Sequence, residues 1–306
     1  MVKTVILIKL SYTFKEKLLL RGVLSPTPVY DLDMTVFENL ELLVRRVVNG
    51  SLVAIAPDYS WVPMALVRGL IRRKARDLSL LTVPISGMAA DILIGAGSVV
   101  SIETAAVTLG EVGSAPRFTN AVETNSLSVL DSTCPAIHTA LQASEKGVSF
   151  MPLGGLIGSD LVKSRDDWRV IEDPLEQGDG PVVLLPAIKP DVAIFHSPRA
   201  DKNGNVWIGR RRELMTMAHA SKKTLVTVEE VENKDFLEDE QLAAGTLPAM
   251  YVQAIAIAEK GAWPQALTGC YERDLDHIRI YAKQAKTKEG FQSYLTAHIL
   301  GEESYD

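Results

Sequence analysis

Three short segments of this 306-residue chain set chemically capable groups side by side. Asp58, Tyr59, Ser60 and Trp61 combine a carboxylate, two hydroxyls and an indole, suited either to holding a polar ligand or to capping and stapling the next helix. Ser86 and Gly87 close the run Pro84-Ile85-Ser86-Gly87 just ahead of a helical stretch. Backbone N–H groups at such a turn can hold an anion or a thioester oxygen. In Asp131-Ser132-Thr133-Cys134-Pro135, polar groups crowd a helix start marked by Pro135. A thiol near a helix N-terminus can be reactive, because the thiolate is favoured there. The competing readings are a packed Cys134 and plain capping by Ser132 or Thr133.

Other chemistries lack their residues. The chain has no Walker loop, no His-Glu-x-x-His, no Cys-x-x-Cys and no Gly-x-Ser-x-Gly, and its five histidines do not have metal-ligand spacing, so no metal is expected. Gly95-Ala96-Gly97 starts like a dinucleotide fingerprint but lacks the third glycine and precedes a strand; it reads as a helix-end turn.

The elements that must position these groups alternate. Thr35 and Glu38 have capping-box spacing, which predicts a helix starting at Thr35 with Val36, Leu40, Leu43, Val44 and Val47 as its apolar stripe, ended by Asn49-Gly50. Leu52 to Ala56 reads as a buried strand, a helix follows from Pro63 with Ser60 as a cap, and Leu78 to Val83 is a second strand. Strand, helix and strand on short links make a parallel unit. Further along, Val99 to Val107 is strand-like, Pro116 to Glu123 and Pro135 to Lys146 are helical, and Pro152 to Gly158 is a loop. Four more strands fall at Val182 to Leu185, Val192 to Phe195, Val206 to Ile208 and Thr224 to Val228, with Asn203-Gly204 as a hairpin turn. The expected fold is α/β: an open, largely parallel sheet flanked by helices in one large domain over residues 34–306, preceded by an N-terminal extension over 1–33. In such sheets ligands bind beyond the carboxyl ends of the strands, where the three segments above lie.

A formal net charge of −6 argues against a nucleic-acid partner, and the basic cluster Arg72, Arg73, Lys74 and Arg76 sits where a helix should end, favourable to its dipole. Two cysteines are too few for a disulfide framework. No apolar run approaches the ~20 residues of a membrane span, and Val5 to Ile8 is too short for a signal-peptide core. A cytoplasmic location is the expectation.

Several runs then carry a resemblance. Ala90 to Gly97, Ala115-Pro116-Arg117-Phe118 with Ala121-Val122-Glu123, and Phe150-Met151-Pro152-Leu153 come first. Pro190 to His196 follows, leading into Arg199 to Val206 and Val226 to Val231. Over about residues 35 to 300 the chain resembles alpha subunits of family I coenzyme A transferases, and Gly261-Ala262-Trp263-Pro264 with Gly269-Cys270-Tyr271 is similar to the glutaconate CoA-transferase branch. The resemblance implies a CoA-transferase/NagB-like fold, a beta-type partner in an (αβ)₂-type assembly, and transfer of CoA from an acyl-CoA donor to a small carboxylic acid. Coenzyme A enters as a thioester substrate, and no cofactor is bound permanently. The nucleophilic glutamate is expected on the partner, since Glu232-Asn233 here runs into Lys234 without the glycine that flanks it in related chains. This chain would supply substrate-binding groups from Asp58 to Trp61, Ser86, Gly87 and Ser132 to Cys134, with His196, Glu229 and Glu230 supporting the site or interface. One departure stands out: Ala56-Pro57-Asp58 falls where relatives carry a glycine pair, and proline removes a backbone donor. Related ring-opening hydrolases carry a glutamate where this chain has Ser132-Thr133. The alternatives are an acyl-CoA hydrolase or decarboxylase subunit, or a catalytically silent acyl-CoA-binding homologue.

Overall fold

A computed structural model describes residues 35–175 and 180–301. The extension expected over residues 1–33 lies outside the described residues. Strands β1 (Val36–Glu38), β2 (Leu52–Ile55), β3 (Leu78–Thr82), β4 (Ile85–Ser86), β5 (Val99–Thr104), β6 (Ala106–Val107) and β7 (Ser128–Asp131) come first. They are followed by β8 (Phe150–Leu153), β9 (Arg169–Ile171), β10 (Val182–Pro186), β11 (Val192–Asp201), β12 (Val206–Trp207), β13 (Thr224–Glu232), β14 (Thr246–Leu247) and β15 (Ala254–Ile257). The main sheet runs β1-β15-β13-β11-β2-β3-β5-β7 with every neighbouring pair parallel. Strands β8, β10 and β9 form a separate antiparallel sheet. No helix among the described residues is long and apolar enough to cross a membrane.

Helices of six residues or more are α1 (Leu40–Arg45), α2 (Met64–Arg72), α3 (Met88–Gly95), α4 (Pro116–Glu123), α5 (Cys134–Glu145), α6 (Arg212–Ala220), α7 (Leu275–Gln284) and α8 (Lys288–Leu295). Alternate strand residues point to opposite faces. Val53, Ile55, Leu80, Ile194 and Leu225 share one core with Leu66 and Leu70 of α2, Leu93 of α3 and Tyr281 of α7. Ala54, Leu81, Ala193, Phe195 and Val226 share the other with Ile137 and Leu141 of α5 and Leu214 and Met217 of α6. Both faces are therefore covered, which explains why the strands read as near-continuous apolar runs.

Four local expectations need correction. Residues 36–38 form β1 rather than the first turn of a helix, because they pair with β15, and Thr35 Oγ1 donates to the carbonyls of Ala249 (3.1 Å) and Val252 (2.8 Å). The helix cap is Asn39, whose Oδ1 accepts from Leu42 N at 2.9 Å. Ser60 does not cap α2, which starts after Pro63 without a side-chain cap. Pro152 lies within β8, an edge strand of the small sheet, where a missing N–H costs no ladder bond. Beyond Phe195, β11 continues to Asp201 through the buried polar residues His196, Ser197 and Asp201, and beyond Val228, β13 continues to Glu232 through the half-buried and exposed residues 229–232. Asn203-Gly204 does turn β11 into β12, with Asp201 Oδ1 accepting from the backbone of Asn203 and Asn205, both at 2.9 Å.

Candidate active site

After β2 the chain builds the sheet in one direction through β3, β5 and β7; from β11 it builds the other way through β13 and β15. The switch point lies between the neighbours β2 and β11, and loops beyond their carboxyl ends are the place to look for a ligand site.

The loop after β2 sends Asp58 across the end of β3. Its Oδ1 accepts from Gly87 N (3.1 Å), and its Oδ2 accepts from Met88 N (3.1 Å) and Gln265 Nε2 (2.8 Å). The turn expected to receive an external anion is thus filled by the protein's own carboxylate. Burial pushes the Asp58 carboxyl up to about 6, against the lowering effect of the Met88 and Gly87 hydrogen bonds and the nearby Arg273 charge. Gly87 is required by this approach: a Cβ there would stand 2.6 Å from the Thr108 carbonyl and press on Asp58. Gly87→Ala is expected to lower stability by about 1–3 kcal/mol, the range for forced overpacking. An unchanged urea midpoint in the variant would show that the turn has room to give.

Asp58, Tyr59, Ser86 and Gly87 line one open cleft of about 390 Å³, together with Thr108 and Arg273. Tyr59 is exposed at this rim, while Ser86 is almost fully buried. Arg273 donates to Glu111 Oε1 and to the Leu109 carbonyl, both at 3.2 Å.

Ser60 and Trp61 turn inward from the same loop. The Ser60 hydroxyl donates to Glu213. Trp61 takes a left-handed φ of 62° and is buried, with the Arg211 guanidinium 3.6 Å from its ring centroid. Its carbonyl accepts from His196 N at 2.7 Å, fastening the loop to β11.

His196 and Glu229 form a brace beside the switch point. His196 Nδ1 meets Thr227 Oγ1 at 2.8 Å, and Nε2 meets Glu229 Oε1 at 2.9 Å. Glu229 Oε1 also accepts from Tyr271 OH (2.8 Å) and Gly261 N (3.1 Å), while Oε2 accepts from Lys260 N (2.8 Å). Burial alone would raise the Glu229 carboxyl, but hydrogen bonds from His196, Tyr271 and Lys260 outweigh it and hold it below the ordinary value. Burial lowers the His196 pKa despite Glu229. Glu230, the next residue on β13, is exposed and stands outside this network.

The third segment is separate. Thr133 caps α5 through Oγ1, accepting from Ala136 N at 3.2 Å, and Cys134 is the exposed first residue of that helix. The Ser132 hydroxyl is buried without a partner. None of the three lines the cleft with Asp58. At the end of β5, Glu103 is bound by Arg165 at 2.8 Å.

Gln265, Arg273 and Tyr271 join the site without a sequence pattern of their own. They lie in a connection without periodicity, far along the chain from Asp58, and the only signal is their place in or just beside the Gly261-Ala262-Trp263-Pro264 and Gly269-Cys270-Tyr271 motifs.

The sequence model described as coenzyme A transferase matches residues 37–258. A component chain of the 3-oxoadipate CoA-transferase of Pseudomonas knackmussii is 28% identical over 272 residues, spanning 87% of this chain and 93% of that protein. The crystal structure of glutaconate coenzyme A-transferase from Acidaminococcus fermentans has a TM-score of 0.80 at 26% identity, covering 88% of this chain and 90% of that one. The decarboxylase AibA/AibB gives 0.73 at 28% identity over 86% and 99% of the two chains.

Proposed function

Because this chain belongs to the coenzyme A transferase family, we propose that it is the alpha-type subunit of a heteromeric CoA-transferase, moving CoA from an acyl-CoA donor to a small carboxylic acid. One observation carries the division of labour. Four buried or half-buried carboxylates are already engaged: Asp58 of the loop after β2 by three donors, Glu229 of β13 by four, Glu103 of β5 by Arg165, and Glu213 of α6 by Ser60. A nucleophile must have a free oxygen and an approach path, so this pattern supports a glutamate delivered by a beta-type partner.

That glutamate attacks the thioester carbonyl, forming a mixed anhydride as CoA thiolate leaves. The thiolate then attacks the glutamyl carbonyl, expelling the first acid and leaving a glutamyl-CoA thioester. An acceptor carboxylate attacks this thioester, and the same steps run in reverse to release the new acyl-CoA. Each bond broken passes the acyl group between activated forms, which is the advantage of a covalent relay. In this reading Asp58, Tyr59, Ser86 and Gly87 build the alpha-side wall of the substrate pocket, and His196 and Glu229 hold the loops around it. Two such pairs assemble as (αβ)₂, in the cytoplasm, with no cofactor beyond the CoA of the substrate.

The test is co-expression with a beta-type chain, incubation with acyl-CoA, and borohydride reduction. A reduced glutamyl thioester on the partner is the expected product. Efficient turnover by this chain alone, or borohydride reduction of a CoA thioester formed on one of its own carboxylates, would overturn the reading. The likeness to a decarboxylase gives a second outcome a definite form: acyl-CoA converted to a shorter acyl-CoA with release of CO₂, no acceptor acid and no glutamyl thioester on either chain.

A further inference from the structure

Loops after β2 and β3 and the connection 264–273 converge on the Asp58 cleft, and the donors on its walls divide into two groups. The backbone N–H groups of Gly87 and Met88, at the start of the eight-residue α3, are taken by Asp58 at 3.1 Å each. Gln265 Nε2 is taken by the same carboxylate at 2.8 Å. Two groups are left over. The Ser86 hydroxyl, on a residue only 2% exposed, and the Nε–H of Arg273 are both buried without a hydrogen-bond partner, and both residues line the cleft. A donor shut away from water and from any acceptor is a standing cost that a bound ligand can remove.

Their chemistry selects the ligand. A guanidinium edge and a hydroxyl both donate to an anionic oxygen, and guanidinium matches the carboxylate in particular. Asp58 lines the same cleft and fills the turn at Gly87 and Met88, so an incoming carboxylate, of the same charge as Asp58, is repelled from that turn and left to the two free donors. We infer that the cleft seats a carboxylate of the acid substrate between Ser86 and Arg273, and that Asp58 is the positioning residue that closes the α3 turn and keeps those two donors facing the ligand.

This inference rests on the transferase reading, and the experiment separates the two. In the complex with its beta-type partner, the glutamyl-CoA thioester is formed from acyl-CoA, and its discharge is followed against acid concentration. Ser86→Ala and Arg273→Gln are each expected to raise the KM for the acid roughly 10- to 100-fold, the worth of a hydrogen bond to a charged group, with a smaller change in the limiting rate. Arg273→Lys should recover part of the loss, which a purely structural role would not require. Ser86→Ala removes only an unpartnered hydroxyl, so it keeps the test open if the arginine variant folds poorly. If the wild-type complex forms no thioester, the transferase reading fails. If it does, and both variants keep an acid KM within about twofold of wild type, the site assigned to Ser86 and Arg273 is wrong.

Discussion

Replacing Glu229 by alanine should destabilise the domain by about 3 kcal/mol or more, the range expected when a buried hydrogen-bonded ionic group is removed from among its partners. The carboxylate accepts from His196, Tyr271, Lys260 and Gly261, and the variant leaves all four donors behind, three of them partly buried and the Lys260 N–H open to solvent. Lys260 holds a left-handed φ of 49°, a conformation that non-glycine residues keep only when their surroundings enforce it. Losing the brace therefore also frees the 258–262 loop and, through Tyr271, the segment that carries Arg273 to the cleft. Glu229→Gln keeps the shape but turns an amide N–H toward donors, so it should lose less, about 1–2 kcal/mol. Denaturant unfolding of the two variants checks this, and a loss below about 1 kcal/mol for the alanine form would show that the brace is dispensable.

The same pair makes the domain sensitive to acid. The Glu229 carboxyl is held below its ordinary value in the folded state, so its contribution is present above that value and disappears as pH falls through the folded one. His196, lowered from 6.5 chiefly by burial, is kept neutral when folded while the unfolded chain takes up a proton, so stability also falls as pH drops below that point.

Asp58 should show the opposite sign. Its carboxyl rises from 3.8 to about 6 on folding, chiefly through burial, so the folded state holds the proton more tightly. Its contribution is complete below 3.8 and is lost as pH rises to about 6. His196 and Glu229 oppose this trend, so the clean measurement is a difference curve. Between pH ~4 and ~7, wild type should lose up to roughly 3 kcal/mol relative to Asp58→Asn, with partial exposure at the cleft reducing the figure. A difference curve that is flat, or that rises with pH, would mean that the three donors around Asp58 outweigh burial and keep it ionised throughout. Activity should respond as well: protonated Asp58 no longer matches three surrounding donors, and the turn that presents Ser86 loosens.

How much of this is readable in the residues alone depends on where each signal lives. The open parallel sheet is legible, because strands buried on both faces must be apolar and must alternate with helices having one apolar stripe, as Leu52–Ile55, Met64–Arg72 and Leu78–Thr82 do. Asp58 and Ser86 are legible as site candidates because they lie a few residues beyond the carboxyl ends of β2 and β3. What the two do to each other is not: nothing in either loop indicates that a carboxylate from one closes the backbone donors of the other. The far half of β11 escapes notice because His196, Ser197 and Asp201 are polar, and a buried polar residue looks like a loop until its partners are known; the end of β13 escapes because Glu229, Glu230 and Glu232 interrupt its apolar run. Thr35 and Glu38 match a helix start by spacing, and long-range pairing with β15 prevails over that local preference. Arg273 and Gln265 reach the cleft from a stretch whose fold is set by tertiary contacts alone, so no periodicity marks them.

The outermost members of the main sheet, β1 and β7, are only three and four residues long, and they end at Glu38 and Asp131. Such stubby, acid-tipped margins offer too little unpaired backbone to template a neighbour, and the charges repel a second copy approaching in register. Lateral growth of the sheet is thereby self-limiting. A polypeptide with such margins can stay dispersed at high concentration rather than accumulate as β-stacked aggregates.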